Sequence, residues 1–170
     1  MEALVEALLT LARVENSSAS RSQLVDLDDL VLDEVGRCRT RDSTSIDISA
    51  VSAGQVLGDP VLLGQVVSNL LANAERHAAS MITVSLHEDV SHVVLAVEDD
   101  GTGVPSPDRD RIFERFARLD EARARDAGGS GLGLAIVKTV VEAHGGMARV
   151  EESADGGACF VVRLPRAPES

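Results

Sequence analysis

Asn69, Asn73, Arg76 and His77 lie within nine consecutive residues. At about 100° per residue, a helix gathers all four within roughly 100° of arc. The opposite side carries Leu63, Val67, Leu70, Leu71, Ala74 and Ala78, enough apolar surface to face a core. Amide oxygens can ligate a hard divalent cation, and a guanidinium forks a phosphate. Taken alone, the polar stripe reads more simply as a solvated helix face.

Two further stretches bear chemistry. Asp99-Asp100-Gly101-Thr102-Gly103-Val104 directly follows an apolar strand pattern. Two glycines spaced by one residue let the backbone turn tightly and let a flat ligand approach. A carboxylate at a strand end accepts hydrogen bonds, for example from an exocyclic amine such as that of adenine. A plain acidic turn fits these residues equally well. Gly128-Gly129-Ser130-Gly131-Leu132-Gly133-Leu134 opens a helix whose free N–H groups and positive dipole end suit an anion. Its glycine spacing is neither the dinucleotide fingerprint nor a Walker loop. No Gly-Lys-Ser/Thr is present, and the preceding segment is an Arg-rich loop rather than a strand.

Composition bounds the rest. A chain of 170 residues fits one domain with room for an appendage. With three Phe and no Tyr or Trp, the core has to come from Leu, Val, Ile and Ala. A net charge of −12 argues against nucleic acid or an anionic membrane as the main partner. Against that background, residues 109–125 hold six Arg and four acids, an island of locally positive charge. Cys38 and Cys159 lack metal-ligand spacing and are expected to be reduced thiols in a cytosolic setting. No apolar run reaches the ~18–20 residues that span a bilayer. Glu2 and Glu6 are the wrong charges for a signal peptide.

The elements that must position these groups follow from periodicity. Residues 2–14 predict a helix with Leu4, Ala7, Leu8, Leu11 and Ala12 on its apolar side, and residues 16–20 a small-polar linker. A short strand at 23–25 precedes a helix capped by Asp26 and running to about Arg39. Strands are expected at 45–51 and 55–57. Asp59 and Pro60 then start the helix that bears the asparagines and runs to about Ala79. Alternation over 82–86 and 93–97 predicts a hairpin turning near 88–91. Residues 99–130 read as irregular, with a helical turn near 111–118, and a loop of that length is usually functional. A helix over 131–144, striped by Leu132, Ala135, Ile136, Val140 and Ala143, ends at Gly145-Gly146. Strands at 148–151 and 158–164 close the chain. The fold class is α+β: a two-layer sandwich of a mixed, mostly antiparallel sheet on about three helices.

In this order the stretches resemble the catalytic ATP-binding domain of a two-component sensor histidine kinase, with the Bergerat fold that such kinases share with DNA gyrase and the Hsp90 chaperones. Residues 69–77 resemble the N box and 99–104 the first glycine box. Arg111-Ile112-Phe113-Glu114-Arg115-Phe116 resembles the F box, and 129–134 the second glycine box. His144-Gly145-Gly146 and the closing Leu164-Pro165 also fit. The resemblance covers about residues 20–166.

It implies roles for particular positions. Asn73 would ligate a Mg2+ ion bridging ATP phosphates, supported by Asn69. Arg76 would approach the phosphates, and His77 would line the adenine or ribose side. Asp99 would recognise the adenine amine, with Gly101 and Gly103 letting the base sit close. Residues 117–130 would form a mobile lid, with Arg118 directed to the γ-phosphate. Gly129, Ser130, Gly131, Leu132, Gly133 and Leu134 would hinge the lid and cradle phosphate. Phe113 and Phe116 are expected to be packing residues, and Arg115 to pair with Glu114 or another acid. Residues 1–16 resemble the end of a dimerisation helix, 17–21 the linker, 22–166 the catalytic domain and 167–170 a tail. The phosphoacceptor histidine of such kinases lies upstream, so the chain is expected to be a fragment.

Hydrolytic members of the superfamily carry a Glu where this chain has Asn69. An amide cannot act as a base, so the expected reaction is phosphoryl transfer to a histidine, with relay to a response regulator, rather than ATP hydrolysis. Expected partners are ATP, the dimerisation domain and the response regulator. The domain is expected to be cytoplasmic, in a homodimer anchored in the bacterial membrane. A hydrolytic clamp, an anti-sigma-factor serine kinase and a regulatory module without ATP are the rival readings.

Overall fold

The computed structural model describes residues 2–16, 22–38, 43–117 and 131–168. Its centre is the hairpin of β4 (Met81–Glu88) and β5 (His92–Asp99). Every second residue of each strand is buried: Ile82, Val84 and Leu86 on one, Val93, Leu95 and Val97 on the other. Those six face a helix layer, and the alternation continues one step further to Asp99, which pairs across the strands with Ile82. A carboxylate therefore takes the place of the next core side chain.

Around that hairpin, β2 (Ser45–Val51), β6 (Met147–Glu152) and β7 (Ala158–Pro165) complete a five-stranded sheet in the order β2-β4-β5-β7-β6. Only β2 runs parallel to its neighbour. Although 45–51 alternates in sequence, β2 is an edge strand and Ile48 remains 37% exposed. The expected strands at 23–25 and 55–57 do not join the main sheet. As β1 (Gln23–Asp26) and β3 (Gln55–Gly58) they form a separate antiparallel ribbon. One bridge, Val56 to Arg166, ties it to the end of the chain.

The helix layer comprises α2 (Leu27–Arg37), α3 (Pro60–His77) and α4 (Gly133–Ala143), with α1 (Glu2–Asn16) packed against α4. Asp59 caps α3 as expected, its Oδ1 accepting from Val61 N at 2.9 Å and Leu62 N at 3.4 Å. Asp26 does not cap α2 through its side chain, because the carboxylate is engaged by Gln55 Nε2 at 2.6 Å, its cross-strand partner. The α2 helix stops at Arg37, short of the expected end. The α4 stripe is wider than the sequence suggests. Val137 and Val141 are buried and Ala143 is exposed, since α4 is covered by α1 as well as by the sheet and α3. On α1, Ala7 and Leu11 are buried while Leu8 and Ala12 face out. His144 joins α4 to the start of α3. Its Nδ1 donates to Val140 O at 2.7 Å, and its Nε2 accepts from Asp59 N at 3.1 Å. Both cysteines are free, and burial pushes the Cys159 thiol up to about 12.

Asp100 sets where α3 ends. Its carboxylate accepts from the N–H groups of Ala79, Ser80 and Met81 and from the Ser80 hydroxyl, at 2.7–3.1 Å for the shortest bond to each donor. Those N–H groups are committed to Asp100, so the helix closes at His77 rather than at Ala79. Bonds from Ser80, then Met81 and Ala79, hold the Asp100 carboxyl far below the usual carboxylate range. The irregular stretch after β5 holds two short 3-10 turns, Ser106–Asp108 and Arg111–Phe113.

Two outcomes are expected. Asp59→Ala removes the α3 cap and lowers unfolding free energy by about 1 kcal/mol, read as a shift of the urea midpoint at unchanged slope. Asp100 has a folded pKa below its unfolded value near 3.9, so its contribution is complete above that pH and is lost as pH falls towards the folded value. Between pH 5 and pH 2, Asp100→Asn should therefore lose stability less steeply than the wild type. Parallel curves would contradict this.

Candidate nucleotide-binding site

The amide face of α3 meets the start of α4. Asn69 and Asn73 are half-buried, and their side chains have no hydrogen-bond partner among the described residues. A Cβ on Gly133 would lie 3.1 Å from Asn69 Oδ1, so the beginning of α4 abuts this amide. Arg76 and His77 follow at the exposed end of α3. Desolvation and then the neighbouring Arg76 charge lower the His77 pKa, against a smaller opposing pull from Asp99. The imidazole is accordingly neutral at pH 7 and able both to donate and to accept.

Asp99 closes the other side. It is 3% exposed. Its Oδ1 accepts from Gly101 N at 2.9 Å and from Ala158 N at 3.4 Å. Its Oδ2 is buried with no partner among the described residues. A buried acceptor left unsatisfied costs about 1–3 kcal/mol, so a donor arriving from a ligand would recover that loss. An exocyclic amine is such a donor.

The glycines of this loop permit the tight turn expected of them, and the structure adds a close approach by other backbone. A Cβ on Gly101 would lie 2.1 Å from the carbonyl oxygen of His77, and Gly103 has φ +73° beside the carbonyls of Gly156 and Gly157. They are glycines because the protein's own backbone approaches them, whatever room they also leave for a base. That approach is what brings the end of α3 to Asp99.

The F-box stretch divides. Phe113 is buried and meets Phe160 edge-on, with ring centroids 6.2 Å apart. Phe116 is not a packing residue: it is 63% exposed and has φ +61°. Its N–H donates to Gly131 O at 3.0 Å, which brings the two sides of 117–131 together. Arg115 is exposed and forms no ion pair with a described residue. Arg109 braces the loop instead, donating from Nε to Val104 O at 3.2 Å. Leu132 is buried in the core, so its side chain packs and only its backbone can face a ligand, while Gly131 and Leu134 are half-buried. Arg118, Gly129 and Ser130, and with them most of the expected lid, lie outside the described residues.

Sequence reasoning missed Asp100, Ser153, Gly157 and Ala158. Asp100 adjoins Asp99, and only its bonds to 79–81 reveal its part. Residues 153–157 fall between the expected strands at 148–151 and 158–164, and nothing local shows that this turn lies behind Asp99.

Comparison with known proteins agrees with this geometry. Residues 58–168 match the family described as histidine kinase-, DNA gyrase B-, and HSP90-like ATPase. The probable sensor histidine kinase TcrY of Mycobacterium tuberculosis is 41% identical over 167 residues, which is 95% of this chain and 35% of that protein. The sensor histidine kinase CpxA of Escherichia coli is 34% identical over 169 residues, 97% of this chain and 37% of that one. The chain thus spans little more than a third of the length of these relatives. Among solved structures, the mycobacterial sensor histidine kinase MprB superposes with a TM-score of 0.77 at 34% identity, covering 87% of this chain and 99% of that one. Full-length ShkA in complex with AMPPNP gives 0.79 at 28% identity, covering 99% of this chain and 36% of that one. With an acceptor buried at a strand end, paired amides on α3 and a glycine-rich start to α4, the chain belongs to the histidine kinase-, DNA gyrase B- and HSP90-like ATPases, as an ATP-binding catalytic domain of the sensor histidine kinase type.

Proposed function

We propose that this chain binds Mg-ATP between α3 and α4 and transfers the γ-phosphoryl group to a histidine on a dimerisation domain, for relay to an aspartate of a response regulator. The observation that carries the reading is the buried, unpartnered Oδ2 of Asp99, which faces the need for a donor that the 6-amino group of adenine meets. The AMPPNP named with the ShkA structure is a nucleotide of this chemistry.

Asn73 is assigned to Mg2+ and Asn69 to its support. Their neutral oxygens are unengaged among the described residues, and no cluster of three or more His, Cys, Asp or Glu there could hold a metal. That donor set fits a cation held jointly by protein and nucleotide phosphates. Mg2+, when bound, supplies neutralisation of phosphate charge. The chain's own part is to bind and orient. Asp99 fixes the base, the Gly131–Leu134 backbone and Arg76 approach the phosphates, and neutral His77 lines the base or ribose side. Gly129 and Ser130 extend that backbone cradle, and Arg118 is assigned to the γ-phosphate. Phosphoryl transfer depends mainly on such positioning and charge stabilisation. Asn69 offers no base to water, which favours transfer over hydrolysis.

Residues 1–16 are assigned to the end of a dimerisation helix, 17–21 to a linker, 22–166 to the catalytic domain and 167–170 to a tail. In the whole protein this domain would lie in the cytoplasm, within a homodimer anchored in the membrane. Among the described residues no helix is long and apolar enough to cross one.

Calorimetry should show Mg-ATP binding by the chain alone, with slow turnover. Asp99→Asn should weaken ATP by about tenfold or more, as expected for a hydrogen bond to a charged group. Supplied with a separate acceptor-helix domain and γ-labelled ATP, the chain should produce acid-labile, base-stable phosphate. Asn73→Ala should abolish that labelling, and labelling that persists in this variant would sink the metal assignment. Rapid hydrolysis by the chain alone would contradict the transfer reading.

A further inference from the structure

Ser153 has its hydroxyl committed in both directions behind Asp99. Its Oγ donates to the backbone carbonyl of Asp99 at 3.0 Å and accepts from Gly157 N–H at 2.9 Å. Asp99 ends β5 and Ser153 follows β6, two strands separated in the sheet by β7. The turn between β6 and β7 reaches across to make this contact. It is itself closed by Ser153 N to Gly157 O at 2.9 Å and Gly156 N to Ser153 O at 3.0 Å.

The fit leaves no slack. A Cβ on Gly157 would lie 1.9 Å from the Asp99 carbonyl oxygen and 2.9 Å from its Oδ1. The next residue, Ala158, directs its N–H at that same Oδ1, which Gly101 N–H also holds. On the far side, Gly103 rests on the carbonyls of Gly156 and Gly157. Main chain and carboxylate of Asp99 are thus gripped from one turn. One carboxylate oxygen is saturated and the other is buried without a partner.

We infer that Ser153 and Gly157 are positioning residues that set selectivity for a 6-aminopurine, by fixing the angle at which Asp99 presents its free carboxylate oxygen. This rests on the ATP-binding reading above. A hydrogen bond weakens steeply as its angle departs from linearity, so loosening the grip affects the base contact before it affects phosphate contacts on α3 and α4. A 6-oxopurine carries an acceptor at position 6, and its N1–H lies elsewhere on the ring edge, so it cannot make the position-6 bond that the grip orients.

The test compares ATP with inosine triphosphate, each with Mg2+, by calorimetry on wild type, Ser153→Ala and Gly157→Ala of the full chain. The wild type should favour ATP. Ser153→Ala should lose about tenfold in ATP affinity while inosine triphosphate stays within about twofold, since only an oriented bond is lost. Gly157→Ala should narrow the preference at least as far, and either folded variant suffices to decide. A parallel loss for both nucleotides would mean general destabilisation and overturn the inference, as would an unchanged ATP preference. A wild type that binds neither nucleotide would instead remove the ATP-binding reading itself.

Discussion

A carboxylate standing in a row of core side chains is the constraint on which much of this structure turns. Val93, Leu95 and Val97 project from β5 into the helix layer, and Asp99 takes the next place in that row. Burying a carboxyl group is costly unless its oxygens are satisfied. Here the satisfaction is partial by construction. Backbone N–H groups from Gly101 and Ala158 take one oxygen, and the other is buried and unpaired among the described residues. Supplying those N–H groups requires two loops to press against the strand end, and that pressure leaves glycine at 101 and 157. The unpaired acceptor and the loop conformation are two results of one burial.

The same arrangement separates what was legible in the sequence from what was not. Helix starts and strand alternation are local, so Asp59-Pro60 and the β4–β5 hairpin are readable from neighbouring residues alone. The four motif stretches are readable by resemblance because each is contiguous. Misreadings cluster where a partner distant in sequence decides the outcome. Asp26 looks like a helix cap and is taken by Gln55. The stripe on α4 looks one-sided and is widened by α1. Ser153 carries no local signal, because its role consists of a bond to a residue 54 positions away.

The division of labour between the two aspartates illustrates how adjacent residues part company in a strand. Asp99 points into the core and is incompletely satisfied, which suits recognition. Asp100, on the next pleat, gathers three N–H groups and a hydroxyl from 79–81 and is anchored by them. One leaves an acceptor unpaired while its neighbour anchors the residues that follow α3. Exchange of their environments by a one-residue slip would destroy both functions, which is how period-2 geometry enforces register.

The His144 bridge has a mechanical meaning. It fastens the last turn of α4 to the first residues of α3, at the opposite end of the helix pair from the contact between Asn69 and Gly133. Two rods pinned at one end and touching near the other can part only by bending or by tearing the pin. The relation of α3 to α4 is thus set when the chain folds, and it is held at both ends of α4.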